Sequence, residues 1–333
     1  MSAAEDAAPR IAVTMGDPRG IGPEIILKAL SGHDLPADAG LVVVGAREVL
    51  EHEARALGLD VDLPTAGSPG TGAVSLVDLG NFPAERLTPH SPDASAGRAS
   101  VEYIERAVRM ALDGDVDAVV TAPINKEAIA AAGSPFAGHT EMLAHLTGGS
   151  RPVMLMVSEA LRVALVTTHM ALRDVPKAIT GRKVMATTQI VADGVRRFFG
   201  VEEPRIAVCG LNPHASDGGR FGNEEQKIIA PAVAKLRQTG LDVIGPVPSD
   251  TAFLKARQDA YDAVVALYHD QALIPVKMSG LGSVVNVTLG LRIIRTSVGH
   301  GTAYDIAGRG EADEASLVAA IRLAGRMARA SGG

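Results

Sequence analysis

Three histidines stand in one kind of setting. His169 closes Val163–His169 (VALVTTH), His214 closes Ile206–His214 (IAVCGLNPH) and His269 closes Ala263–His269 (AVVALYH). Each comes just past an apolar run suited to a buried strand. In open α/β sheets, ligands bind at that carboxyl edge. The histidines lie 45 and 55 residues apart, yet strand ends in one sheet can bring them within a few ångströms. Neutral imidazole suits Zn, Fe, Ni, Mn or Co, and three protein ligands leave coordination positions open for a substrate. Any one of the three alone is an ordinary hydrogen-bonded loop residue. Together, flanked by Asn212, Asp217, Asp270 and Gln271, they point to a metal site, with carboxylates to orient imidazoles or serve as base.

A second group favours anions. Lys277, Asn286 and Arg295 follow the third histidine, and His139–Thr140 open an expected helix. Arginine offers a planar fork for phosphate or carboxylate, lysine a point charge, and a helix N-terminus its N–H donors. Lys277 and Arg295 fall in a largely apolar stretch, Ala263–Thr296, which argues against simple surface charges. GDPRGIGPE (Gly16–Glu24) lies between an expected strand and helix, with Pro23 suited to the first turn. It matches neither GxGxxG nor the P-loop, so a tight turn and a ligand contact remain equal alternatives. HGTAYDIAGRG (His300–Gly310) allows close backbone approach to a flat ligand, and Asp305 could accept from ribose hydroxyls; an ordinary glycine-rich loop has the same composition. Lys126, in TAPINKE, is either a residue of the cofactor side or a solvated helix-start lysine.

The elements that must position these residues alternate. Strands are expected at Ile11–Met15, Leu41–Val44, Val116–Val120, Arg162–Val166, Arg205–Val208, Ala263–Leu267, Val284–Val287 and Ile293–Thr296. Helices are expected at Pro23–Leu30, Arg47–Leu57, Ala96–Leu112, Glu141–Thr147, Arg182–Phe199, Glu224–Gln238 and Glu314–Ala330. The alternation predicts a mostly parallel α/β sheet with helices on both faces. Pro64–Gly72 and Asn81–Ala96 are expected to be irregular. With 333 residues the chain exceeds one core, and the lack of a linker suggests one lobe inserted in the other.

Composition narrows the function. Net charge is −6, aromatics are 3% and Trp is absent, so neither the basic face nor the stacking platform of a nucleic-acid binder is expected. No window approaches a membrane span, and MSAAEDAAPR does not resemble a signal peptide. The single Cys209 ends an apolar run, which predicts a buried, inert thiol and a cytoplasmic protein.

The ordered motifs resemble the 4-hydroxythreonine-4-phosphate dehydrogenase family along nearly the whole chain. They are GDPRGIGPE, TAPINKE, GHTEML, TTHMALRDVP, GLNPHASDGGRFGNEE, SDTAF, YHDQALIPVK, VNVTLGL and RTSVGHGTAYDIAGRG. The resemblance implies a two-lobed α/β/α fold of the isocitrate/isopropylmalate dehydrogenase type. Its lobes would be 1–135 plus 290–333 on the cofactor side, and 136–289 on the metal, substrate and dimer side. It implies one divalent metal (Zn, Mg, Co, Mn or Ni) on His169, His214 and His269, shared between the subunits of a homodimer. Substrate would be held by His139, Thr140, Lys277, Asn286 and Arg295. The loop residues His300, Gly301, Thr302, Ala303 and Asp305 would bind NAD in preference to NADP, because a carboxylate repels a 2′-phosphate. The implied reaction oxidises a small 4-phosphorylated hydroxy acid to a 3-oxo acid that loses CO₂, with Asp250 or Asp270 as base and Lys126 nearby. Related branches oxidise D-threonate or D-erythronate 4-phosphate, or aromatic cis-dihydrodiol carboxylates. A metal-dependent lyase is a remoter alternative. Arg292 and Gly299 stand where the family commonly has Pro and Asp, which leaves the substrate open.

Overall fold

A computed structural model describes residues 8–32, 35–36, 39–66, 74–149, 151–279 and 284–332. The chain divides into two compact units, Met1–Pro152 with Leu291–Gly333, and Val153–Gly290.

The sheet of the first unit comprises β1 (Arg10–Thr14), β2 (Gly40–Gly45), β3 (Val74–Asp78), β4 (Ala118–Thr121) and β11 (Ile294–Ser297). Their order is β3-β2-β1-β4-β11, and every pair is parallel. β1, β2 and β4 are buried along almost their full length, as strands covered on both faces must be. The helices are α1 (Gly22–Ser31), α2 (Arg47–Leu57), α3 (Ala94–Asp113), α4 (Lys126–Ala131), α5 (His139–Leu146) and α11 (Ala315–Gly332). α3 packs on β1, β2 and β4, while α11 packs on β1, β4 and β11. The Asp93 side chain accepts from the Ser95 and Ala96 N–H groups to start α3. The expected irregular stretch Asn81–Ala96 thus ends in a helix cap, whereas much of Pro64–Gly72 lies outside the described residues. Residues 136–152, assigned to the inserted lobe from sequence, cluster with this unit because α5 packs against α3.

The second unit has β5 (Val153–Val157), β6 (Arg162–Leu165), β7 (Ile206–Cys209), β8 (Val243–Val247), β9 (Ala263–Ala266) and β10 (Val285–Leu289). Their order is β10-β5-β6-β9-β7-β8. β5 pairs antiparallel with both neighbours, and the remaining pairs are parallel. The helices are α6 (Val175–Ala178), α7 (Gly181–Phe199), α8 (Ala230–Gln238), α9 (Ser249–Ala256) and α10 (His269–Met278). One face of the sheet packs Val163, Leu165, Ala207, Cys209, Val264 and Ala266 against Ala252, Ala272 and Val276 of α9 and α10. The mostly parallel α/β fold expected from the sequence is therefore present. No helix among the described residues is long and apolar enough to cross a membrane.

Candidate active site

β6 and β9 pair in parallel, Val163 with Val264 and Leu165 with Ala266. The ladder continues beyond both strands: Val166 N donates to Ala266 O at 2.9 Å and Thr167 N to Leu267 O at 3.2 Å. The Thr167 hydroxyl adds a second bond to Leu267 O at 2.6 Å. Two chains held in register this far must deliver His169 and His269 side by side. Their ring centroids are 5.4 Å apart, tilted by 45°. His269 Nδ1 lies 2.7 Å from Asp270 Oδ1, a contact that leaves Nε2 as the ring's other nitrogen. An oriented imidazole beside a second imidazole is a donor set that fits a borderline divalent ion.

His214 is placed differently. From His214 to Gly218 every φ is positive, with His214 at 53° and Asp217 at 44°. A left-handed turn of four non-glycine residues costs about 1–2 kcal/mol per residue, so its surroundings must enforce it. Glu225, only 2% exposed, does much of this. Its Oε1 accepts from Leu211 N at 2.8 Å and Asn212 N at 2.7 Å, and its Oε2 from Asn212 Nδ2 at 2.9 Å. Buried Gln271 accepts from Leu267 N at 2.7 Å and donates to Gly210 O at 2.8 Å, fastening the start of α10 to the end of β7. Sequence reasoning named Gln271 only as a flanking residue and missed Glu225. Among the described residues, no group of three or more His, Cys, Asp or Glu gathers to hold a metal ion. The convergence of three histidines expected from the sequence is, within one chain, a pair.

The other candidates in this unit are less enclosed. Asp250 is exposed in the first turn of α9, a helix that packs against the His214 turn. Lys277, expected from its apolar surroundings not to be a surface charge, is exposed, because it falls in the last turn of α10. Asn286 lies on β10 opposite Met156, and its Oδ1 is buried with no hydrogen-bond partner.

In the first unit lie three of the residues expected to bind an anion, Arg295, His139 and Thr140. Arg295, 2% exposed on β11, donates from Nη2 to Thr121 Oγ1 at 2.7 Å. Burial pulls its guanidinium down to about 9, still cationic at neutral pH. His139 opens α5, with Nε2 buried and unpartnered. Burial first, and the Arg295 charge second, hold its imidazole well below the usual value and therefore neutral. Thr140 shares that helix start. Lys126 opens α4, and its Cε lies 3.6 Å from where a Cβ on Gly138 would be. The structure thus brings Lys126 next to the residue preceding His139.

The glycine-rich loop exposes His300, Gly301 and Asp305 and buries Thr302. Ala303 has φ 42°, and His300 Nδ1 lies 3.1 Å from Gly301 O. A Cβ at Gly301 would meet nothing within 4 Å, so the loop is open to a ligand there. Gly299 N donates to Ser316 Oγ at 3.1 Å, and Arg292 is exposed.

A largely parallel sheet with polar side chains past its carboxyl ends is the framework of an α/β enzyme that binds its ligand at that edge. The chain belongs to the family described as pyridoxal phosphate biosynthetic protein PdxA, which matches residues 37–324. A 4-hydroxythreonine-4-phosphate dehydrogenase of Desulforapulum autotrophicum is 45% identical over 98% of each chain. A D-threonate 4-phosphate dehydrogenase of Cupriavidus necator is 46% identical over 97% of this chain and 98% of the relative. The crystal structure of 4-hydroxythreonine-4-phosphate dehydrogenase from Klebsiella pneumoniae superposes with a TM-score of 0.89, at 42% identity, over 97% of this chain and 98% of that one.

Proposed function

We propose that the chain is an NAD-dependent, divalent-metal-dependent dehydrogenase in the cytoplasm. It oxidises a small 4-phosphorylated hydroxy acid, 4-hydroxythreonine 4-phosphate or its close analogue D-threonate 4-phosphate, to a 3-oxo acid that loses CO₂. The observation that carries this reading is the His169–His269 pair, with Asp270 against His269. His169 and His269 would hold the ion, with His214 supplied by a second copy of the chain. Bound NAD supplies the hydride acceptor, and the ion supplies Lewis acidity that lowers the pKa of the substrate hydroxyl.

The chain's own residues bind and orient. Arg295, with neutral His139 and with Thr140, presents donors to an anionic group of the substrate; Lys277 and Asn286 add a charge and an amide. Asp270 orients the His269 ring, Asp250 or Asp270 accepts the hydroxyl proton, and Lys126 is a local cation. His300, Gly301, Thr302, Ala303 and Asp305 carry the adenosine end of NAD, with the exposed Asp305 carboxylate disfavouring NADP.

Chelation should abolish NADH formation, and divalent metal should restore it. His269→Ala should lose bound metal by elemental analysis while keeping its circular dichroism and thermal midpoint. An active, metal-free His269→Ala protein sinks the reading. The substrate is chosen by assaying 4-hydroxythreonine 4-phosphate, D-threonate and D-erythronate 4-phosphates and a cis-dihydrodiol carboxylate. Metal-dependent turnover without NADH points instead to a lyase.

A further inference from the structure

We infer that GDPRGIGPE is a template for the 300–312 loop, and that Asp17 is a positioning residue that acts on the bound dinucleotide through Tyr304. This rests on the NAD reading above and gives the N-terminal motif a task.

The two segments are joined at three successive points, and the helix that runs on from the motif adds a fourth. Tyr304 Oη donates to Asp17 Oδ2 at 2.7 Å. Ile21 N donates to Thr302 O at 3.0 Å. Ala312 N donates to Glu24 Oε1 at 2.8 Å. Lys28, one turn beyond the motif and 2.8 Å from Glu24, donates to Gly310 O at 2.9 Å and Ala312 O at 2.7 Å. The motif's glycines permit this approach. A Cβ on Gly20 would stand 2.9 Å from Thr302 O and 3.0 Å from Thr302 Cβ. Gly16, at φ 73°, turns the chain against Pro123 O, where a Cβ would collide.

Asp17 has no exposed surface. Its second oxygen, Oδ1, accepts from Arg19 N at 2.9 Å, so both oxygens are engaged inside the protein and it is closed to direct ligand contact. Burial drives its carboxyl above the usual range, the mark of a group kept despite desolvation. What Asp17 holds is informative. Tyr304 follows Ala303, the loop residue with a left-handed backbone, a conformation that persists only where neighbours enforce it. Thr302, two residues earlier, is tied to the same motif through its carbonyl, which accepts from Ile21 N. Holding Tyr304 and Thr302 therefore fixes Ala303 between them, while Gly301 and Asp305 stay open to solvent. Arg19 adds a prop: its carbonyl pairs with His90 Nδ1 at 2.8 Å, and His90 Nε2 lies 2.8 Å from where a Cβ on Gly308 would be.

The test is calorimetric titration of the full chain with NAD, paired with steady-state kinetics, for wild type, Tyr304→Phe, Asp17→Ala and the double variant. Tyr304→Phe removes one hydroxyl bonded to a carboxylate and should weaken NAD binding about tenfold. The KM for NAD should rise by the same factor, while kcat and the KM for the phosphorylated substrate change less than about twofold. Because both variants break one link, the double variant should bind NAD no more weakly than the worse single one. If Asp17→Ala does not fold, Asp17→Asn takes its place in the cycle. NAD affinity of Tyr304→Phe within about twofold of wild type overturns the inference, as do additive losses or a uniform fall in every kinetic constant. Wild-type protein that binds no dinucleotide overturns the NAD reading itself and this inference with it.

Discussion

Arg295 is a cation almost without solvent contact, and it adds to the effect of burial on the protonation of His139. His139 is held neutral by burial and by that charge, so the unfolded chain binds more protons than the folded one once the pH nears the ordinary histidine value. The folded value is the lower one. The stability it represents is complete above about pH 6.5 and is lost as pH falls toward the folded value. Thermal midpoints from pH 7 to 5 should therefore fall more steeply for the wild type than for His139→Gln. Parallel curves would remove the titration assigned to His139. Cys209 behaves as its apolar run suggests: it has no exposed surface, and burial pushes its thiol up to about 12. Such single-residue properties were legible because they follow from an apolar flank. The roles of Asp17 and Glu225 were not. A buried carboxylate is distinguished by the N–H and O–H groups the fold gives it, and Asp17 meets Tyr304 across 287 positions.

At the scale of elements, the left-handed turn after β7 depends on Glu225. Glu225→Ala would leave the Leu211 and Asn212 N–H groups without their acceptor and the Asn212 amide with only Glu224 Oε2 of its two carboxylate partners. Stranded buried donors cost about 1–3 kcal/mol each when nothing replaces the acceptor, and water entry would reduce this; about 3 kcal/mol in total is expected. The midpoint in urea should drop, and amide exchange at Leu211 and Asn212 should accelerate ahead of exchange in β7. Unchanged exchange there would show that the turn supports itself. The expected strands all formed, on runs dense in β-branched residues. β3, β5 and β8 were missed from sequence. β3 and β8 are the outermost strands of their units' orders, where an edge tolerates weaker patterning. β5 is instead paired on both sides, and its VMLMV run has Met and Leu where the expected strands are rich in β-branched residues. β8 contains Gly245 and Pro246, a pair that signals a turn and that an edge strand can accommodate. α10 escaped notice because Pro275 lies inside it. Its start at His269 nevertheless decides where that imidazole stands.

At the scale of the whole molecule, the three histidines divide as two and one. Parallel pairing of β6 with β9 brings His169 and His269 together, while His214 sits on a turn that joins no group of three among the described residues. Periodicity could place all three beyond strand ends, but it carries no information on the direction a left-handed turn gives a side chain, or on which copy of the chain completes a site. If His214 serves the pair of a second copy, the defects are complementary. His214→Ala and His269→Ala homodimers would each be inactive, since every site in them lacks one ligand. After subunit exchange, a mixed dimer pairs one intact His169–His269 set with one intact His214 and so regains one of its two sites. Random exchange of equal amounts makes half the dimers mixed, which gives about a quarter of wild-type activity by symmetry. Mixing His169→Ala with His269→Ala is the control: both defects fall in the same pair, no combination rebuilds a site, and activity should stay absent. Size-exclusion chromatography and mass spectrometry would verify the exchange. If the first mixture stays inactive after verified exchange, the metal site is not shared. Equal recovery in both mixtures would show that the histidines are not ligands of one ion.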